Sequence, residues 1–103
     1  MDQHVKIILV VEDDRIARRN LEHILQKTGY GVISVDSGAK ALEQLRSRNF
    51  DLVITDLRME KIDGMRVLEE TRELQPHTEV IMITGYATVD SAVKAMKEGA
   101  YHY

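Results

Sequence analysis

Four short, almost uninterrupted apolar runs constrain the fold of this chain more than any other feature of its sequence. The runs are residues 5–11 (VKIILVV), 32–35 (VISV), 52–55 (LVIT) and 80–84 (VIMIT). Each is rich in β-branched residues and has the length of a buried strand. Because the apolar residues are continuous rather than alternating, both faces of the sheet must be covered, as in a parallel sheet with helices on both sides.

Stretches with helical spacing separate and follow these runs. Their apolar stripes consist of Ala17, Leu21, Ile24 and Leu25; Gly38, Ala41, Leu42 and Leu45; Met65, Leu68, Thr71 and Leu74; and Val89, Ala92, Val93 and Met96. Candidate N-cap residues are Asp14, Ser37, Asp63 and Thr88. The order βαβαβαβα predicts one α/β domain over residues 1–103, with right-handed crossovers between parallel strands.

The residues that follow the strands are mostly acidic. They are Glu12-Asp13-Asp14, then Asp36-Ser37, then Asp56, then Thr84-Gly85. Ligands of open parallel sheets bind beyond the carboxyl ends of the strands. If the first and third strands are neighbours, Asp13 and Asp56 nearly touch, and two such carboxylates repel unless a cation lies between them. The pattern therefore predicts a Mg²⁺ site at which a phosphate group also binds.

Each of these polar residues also has a purely structural interpretation. Asp14, Asp36 and Ser37 are ordinary cap or turn residues, and Thr84 is an ordinary residue at the end of a strand. The combination is harder to explain structurally, because an acidic cluster, a lone acid and a hydroxyl occupy successive strand ends.

Composition narrows the class of protein further. The chain has 103 residues, a net charge of −3 and no cysteine. The charge gives no reason to expect direct nucleic-acid binding, and the absence of cysteine suits a reducing compartment. Residues 5–11 are too few to span a membrane. These features predict a soluble cytoplasmic domain.

Three segments of the sequence resemble those of a known protein family. The segments IILVVEDD, VITDLRM and VIMITGYATVDSAVKAMKEGAYHY are similar to the receiver domain of bacterial two-component response regulators. The last segment most resembles receivers of the nitrogen-regulator type, which precede an ATPase module of sigma-54-dependent activators and a DNA-binding module. The resemblance implies a flavodoxin-like doubly wound sheet of order 2-1-3-4(-5), with the last strand and helix missing or incomplete.

The resemblance also implies a role for each site residue. Asp56 would be the phosphoacceptor, and Mg²⁺ would be held by Asp13, by Asp56, by Glu12 through water and by the backbone carbonyl of Arg58. Thr84 would be the switch hydroxyl, and Tyr103 the aromatic residue that turns inward with it. Such a domain is not an enzyme, although it assists its own phosphorylation and dephosphorylation.

The same resemblance implies the partners. A sensor histidine kinase would donate the phosphoryl group and dock on the first helix, at Arg15, Ile16, Arg18 and Arg19. An effector domain would follow the receiver and carry out transcription regulation, with no nucleic-acid or membrane binding by this chain.

The sequence departs from the family pattern in three places. The family lysine, expected three residues beyond Tyr103, is absent because the sequence stops, which we interpret as a C-terminal truncation. We expect the fourth strand to be an exposed edge that forms a homodimer. The loop Met59-Glu60-Lys61 lacks the usual proline and is expected to be more mobile. Glu12 stands where aspartate is commoner.

Two alternative functions remain open. A phosphatase with an aspartyl nucleophile would place a second acid two residues after Asp56, where this chain has Arg58. A pseudo-receiver, an interaction module that is never phosphorylated, is favoured only by the missing lysine.

Overall fold

The fold is a four-stranded parallel sheet with helices on both faces. The computed structural model describes residues 5–59, 61–83, 97, 99 and 100. Its elements are β1 (Ile7–Val11), α1 (Arg15–Lys27), β2 (Gly31–Val35), α2 (Gly38–Ser47), β3 (Leu52–Asp56), α3 (Gly64–Leu74) and β4 (Glu79–Ile83). The strand order is β2-β1-β3-β4, and all three pairings are parallel. The expected doubly wound order is confirmed; the helix expected near residues 89–96 and any fifth strand lie outside the described residues.

The two faces of the sheet carry separate cores, which explains why the strands are continuously apolar. Within β1, Leu9 and Val11 pack in one cluster with residues of α2 and α3, whereas Ile8 and Val10 pack in another beside α1. The larger cluster also contains Val35, Ala41, Leu42, Leu45, Phe50, Val53, Leu57, Val67, Leu68, Val80, Met82 and Ala100. Successive strand residues point to opposite faces, so a strand covered on both sides must be apolar throughout.

The helices begin at the expected capping residues. The side chain of Asp14 accepts a hydrogen bond from Ala17 N at 2.8 Å. Ser37 and Asp63 cap α2 and α3 in the same way. Each side chain satisfies a backbone N–H that has no partner within its helix. The expected cap at Thr88 lies outside the described residues.

Among the described residues assigned to apolar stripes, two large side chains are exposed. Ile24 is 60% exposed and Leu74 is 43% exposed. In α1 the inward line is formed by Leu21 and Leu25, which pack against the smaller cluster. Ile24 is one residue from Leu25 and therefore about 100° away around the helix. Leu74 is the last residue of α3.

A single buried amide joins several elements at the amino-terminal end of the sheet, opposite the strand ends that carry acids. Gln75 Nε2 donates to the carbonyl oxygens of Leu45 and Arg48 at 2.8 and 2.7 Å. Its Oε1 accepts from Phe50 N at 2.9 Å and from the Thr78 hydroxyl at 3.0 Å. One side chain thus ties the end of α2, the start of β3 and the approach to β4 together.

Candidate functional site

The register of the sheet brings the acidic strand ends together. Val11 of β1 lies opposite Thr55 of β3, so the next residues of both strands leave the sheet side by side. Carboxylate oxygens of Glu12, Asp13 and Asp56 all lie within 4.8 Å of one another. This spacing allows the three groups to share one divalent cation.

The three carboxylates differ in their contact with solvent. Glu12 is buried, with 7% of its surface exposed, Asp56 is half-buried and Asp13 is exposed. Glu12 Oε2 accepts from the backbone N–H of Asp14 at 3.0 Å, which fixes the direction of that carboxyl group. The site is therefore open on one side and rests on a buried acid.

Burial raises the pKa of the Glu12 carboxyl to about 7, and three further effects raise it. These are the charge of Asp56, a hydrogen bond with the Asp13 side chain and the charge of Asp13, while the hydrogen bond from Asp14 N opposes the shift. The carboxylates thus lie so close together that their negative charges repel one another unless a positive charge compensates them. A hard divalent cation, which prefers oxygen ligands, fits this arrangement because its positive charge would neutralise the clustered carboxylates.

The described residues between β3 and α3, 57–59 and 61–63, begin directly after Asp56. Leu57 N donates to Ile83 O at 3.1 Å, and Arg58 N makes a longer contact of 3.4 Å with Asp56 Oδ1. At the other end, Gly64 N donates to Leu57 O at 2.9 Å. Lys61 has a φ of 63°, a left-handed conformation that non-glycine residues rarely adopt. The backbone at the start of the loop therefore contacts the Asp56 carboxylate, and the residue after the loop bonds back to Leu57.

Neighbouring polar residues mostly make structural contacts. Asp36 forms an ion pair with Lys40 at 2.9 Å, and this partner holds the pKa of the Asp36 carboxyl below its usual value. Arg18 Nη1 donates to the carbonyl oxygen of Glu12 at 3.1 Å. No local pattern predicts this last contact, because an arginine four residues after a helix cap is ordinary for an exposed helix face.

The structure therefore brings together three of the predicted site residues, Glu12, Asp13 and Asp56, with the backbone of Arg58 beside Asp56. Thr84 and Tyr103 lie outside the described residues. The roles assigned to all six residues remain predictions.

A flavodoxin-like parallel sheet with an acidic cluster at the carboxyl ends of β1 and β3 defines a class of doubly wound α/β domain whose candidate ligand site lies at those strand ends. Within that class the chain belongs to the response regulator receiver domains, whose family model matches residues 8–103. It is thus a receiver of two-component signalling.

Curated relatives are transcriptional regulators. The chain is 45% identical over 96 residues to the transcriptional regulatory protein ZraR of Escherichia coli O157:H7, covering 93% of this chain and 22% of ZraR. It is 42% identical to the response regulator protein FleR of Pseudomonas aeruginosa, covering 93% of this chain and 20% of FleR. The expected likeness to receivers of the nitrogen-regulator type is confirmed. The chain spans about a fifth of the length of these relatives.

Solved structures of similar fold include liganded receivers. The response regulator TrrA of Thermotoga maritima, in complex with Mg²⁺ and BeF, matches with a TM-score of 0.86 and 34% identity, covering 96% of this chain and 84% of TrrA. A response regulator of Burkholderia pseudomallei with a phosphorylated aspartic acid, a calcium ion and citrate matches with a TM-score of 0.90 and 30% identity. That match covers 95% of this chain and 58% of the other.

Proposed function

We propose that Asp56 accepts a phosphoryl group and that Mg²⁺ is the cation that assists the transfer. The observation that carries this proposal is the convergence of Glu12, Asp13 and Asp56 within 4.8 Å. Asp13 and Asp56 would bind the ion directly, Glu12 would bind it through water, and the carbonyl oxygen of Arg58 would complete the protein ligands. Proteins commonly bind Mg²⁺ through one or two carboxylates with several waters retained.

The chemistry of the transfer follows from the position of Asp56. Asp56 is the last residue of β3, so its carboxylate is held by a strand that is buried on both faces. One oxygen attacks the phosphorus of a phosphohistidine on the donor; an O–P bond forms as the P–N bond breaks, and the electron pair leaves with the imidazole. Bound Mg²⁺ would neutralise the charge on the phosphoryl oxygens. Positioning of the nucleophile supplies most of the remaining effect.

The response to phosphorylation involves residues outside the described part of the chain. The phosphoryl group adds about −1.5 to −2 charges at Asp56. Thr84 would hydrogen-bond its oxygens, and Tyr103 would turn inward, which shifts the domain between two pre-existing arrangements. The domain would assist its own phosphorylation and dephosphorylation without turning over an external substrate.

The proposed partners are a sensor histidine kinase and an effector domain that follows the receiver in the parent protein and acts in transcription. The exposed start of α1 is the proposed kinase-docking surface, because Arg15 and Arg19 flank Ile16, which is 72% exposed, beside the acidic site. We place these events in the cytoplasm. No helix in the described ranges has the length and apolarity needed to cross a membrane.

The outer edge of β4 is a proposed site of self-association. Within the described ranges β4 pairs only with β3. An unpaired outer edge would offer backbone groups for association with a second copy. Sedimentation of the chain over a range of concentrations tests this proposal. A monomer at the highest concentration would refute it.

Labelling with acetyl phosphate tests the phosphoacceptor assignment. Asp56→Asn should abolish labelling of the chain, since an amide is a poor nucleophile. Asp63→Asn is the matched control, because it makes the same change at an exposed acid and asparagine caps a helix as well as aspartate does.

The stoichiometry distinguishes the alternatives. A receiver takes up one phosphoryl group per chain, a phosphatase consumes many equivalents of donor, and a pseudo-receiver takes up none. Labelling that survives in Asp56→Asn would assign the acceptor to another residue.

A further inference from the structure

Two glycines allow α2 and α3 to begin in direct contact with the β3–α3 loop. A Cβ atom at Gly38, the first residue of α2, would overlap the carbonyl oxygen of Ile62 and lie 2.6 Å from its Cγ2. A Cβ at Gly64, the first residue of α3, would overlap the carbonyl oxygen of Asp56 and lie 2.9 Å from Leu57 Cα. Real Cβ atoms do not approach other atoms so closely, so both contacts require glycine.

These contacts hold the loop at two points. Gly64 fixes its ends through the hydrogen bond from Gly64 N to Leu57 O. Ile62 of the loop packs against Gly38, which lies on α2, 24 positions earlier in the chain. The segment between these points includes Arg58, whose N–H contacts Asp56 Oδ1 and whose carbonyl is a proposed ligand of the ion.

We infer that Gly38 is a positioning residue for the metal site, acting through Ile62 on the backbone of Arg58. The inference rests on the proposed function, since it concerns how that site is shaped. A side chain at position 38 must displace either α2 or the loop. Helix α2 cannot move easily, because Ala41 and Leu42, its next inward residues, are buried in the larger core cluster.

The loop, rather than α2, is therefore the segment that a side chain at position 38 would displace. Arg58, Lys61 and Asp63 are exposed, and Ile62 is only partly buried. We expect a displacement at Ile62 to be passed along the chain and to shift the Arg58 carbonyl. Supporting groups of this kind alter metal affinity by about 10- to 100-fold when they are disturbed.

Gly38→Ala tests the inference, with Gly31→Ala as its matched control. A Cβ at Gly31 meets only ordinary contacts, at 3.6 Å to Ile7 and Lys6 and at 3.7 Å to Val5. Calorimetric titration with Mg²⁺ should show an affinity about tenfold lower, or more, for Gly38→Ala, and wild-type affinity for Gly31→Ala.

A second measurement uses no metal. In EDTA, amide hydrogen exchange at Gly64 and Arg58 should be faster in Gly38→Ala than in wild type by about tenfold. The amides of β1 should be unchanged. A folded Gly38→Ala variant with wild-type Mg²⁺ affinity and wild-type exchange at both amides would overturn the inference.

If Gly38→Ala does not fold, Ile62→Ala tests the inference in its place. This variant removes the Cγ2 that packs on Gly38, and it should weaken Mg²⁺ binding, whereas Ile24→Ala on the exposed face of α1 should not. Unchanged binding in Ile62→Ala would refute the inference. Failure of the proposed function is a different result, because wild type and Gly31→Ala would then also fail to bind Mg²⁺, while the metal-free exchange measurement would still report on the loop.

Discussion

The raised pKa of Glu12 makes a quantitative prediction about metal binding. A Glu12 proton with a pKa of about 7 must be lost before this carboxyl supports a cation. At about pH 6 roughly one protein in ten carries the ionised form, and at about pH 8 roughly nine in ten do. Apparent Mg²⁺ affinity should therefore rise about tenfold between these two conditions, and each ion bound near pH 7 should release about half a proton.

Glu12→Gln removes the proton and should flatten this dependence. Glutamine keeps an oxygen that can accept from Asp14 N, so the local geometry is preserved. Glu43→Gln is the control, because it removes the same charge from an exposed position of α2. Calorimetry in two buffers of different ionisation enthalpy measures the affinity and the proton release together.

Two results would refute the reasoning. One is a Mg²⁺ affinity in wild type that does not change between about pH 6 and pH 8. The other is a pH dependence that persists in Glu12→Gln, which would assign the proton to another group.

The same proton affects the stability of the metal-free protein. The pKa of Glu12 is raised above its ordinary value of 4.5, so the folded state binds more protons than the unfolded state between about 4.5 and about 7. In EDTA the free energy of unfolding should fall as the pH rises through this window. Glu12→Gln should remove that part of the decline.

Three further predictions concern stability and surface charge. Gln75→Ala should lower the free energy of unfolding in urea by about 2–4 kcal/mol, because it leaves buried groups such as Phe50 N without a partner; a smaller loss would mean that water replaces the amide. Lys61→Gly should stabilise the chain by up to about 1 kcal/mol, since glycine adopts positive φ without strain, and Lys61→Val should destabilise it. Lys40→Ala should raise the pKa of Asp36 toward its usual value in an NMR titration without a measurable change in urea unfolding, because the pair is exposed.

Most of the architecture follows from local patterns. The apolar runs predicted four strands, and their continuity predicted cover on both faces, because each strand residue must meet a core on one side or the other. Asp14, Ser37 and Asp63 predicted helix starts because capping depends only on neighbouring residues. Ile24 was misassigned because spacing alone does not show how much of a helix face the sheet covers.

The site was predictable only in part. Acids at the ends of parallel strands must meet when the strands are neighbours, which is why Asp13 and Asp56 were expected together. The proton on Glu12 depends on burial, and the contact of Gly38 with Ile62 joins separate elements. Neither property leaves a local signal, since both arise from packing between segments far apart in the chain.

The amide of Gln75 has a consequence for how this receiver can respond to a signal. At the end of the sheet that is remote from Asp56, it joins the end of α2, the start of β3 and the approach to β4 by hydrogen bonds. A charge added at Asp56, as proposed, would therefore act on a domain whose opposite end is held together by these hydrogen bonds.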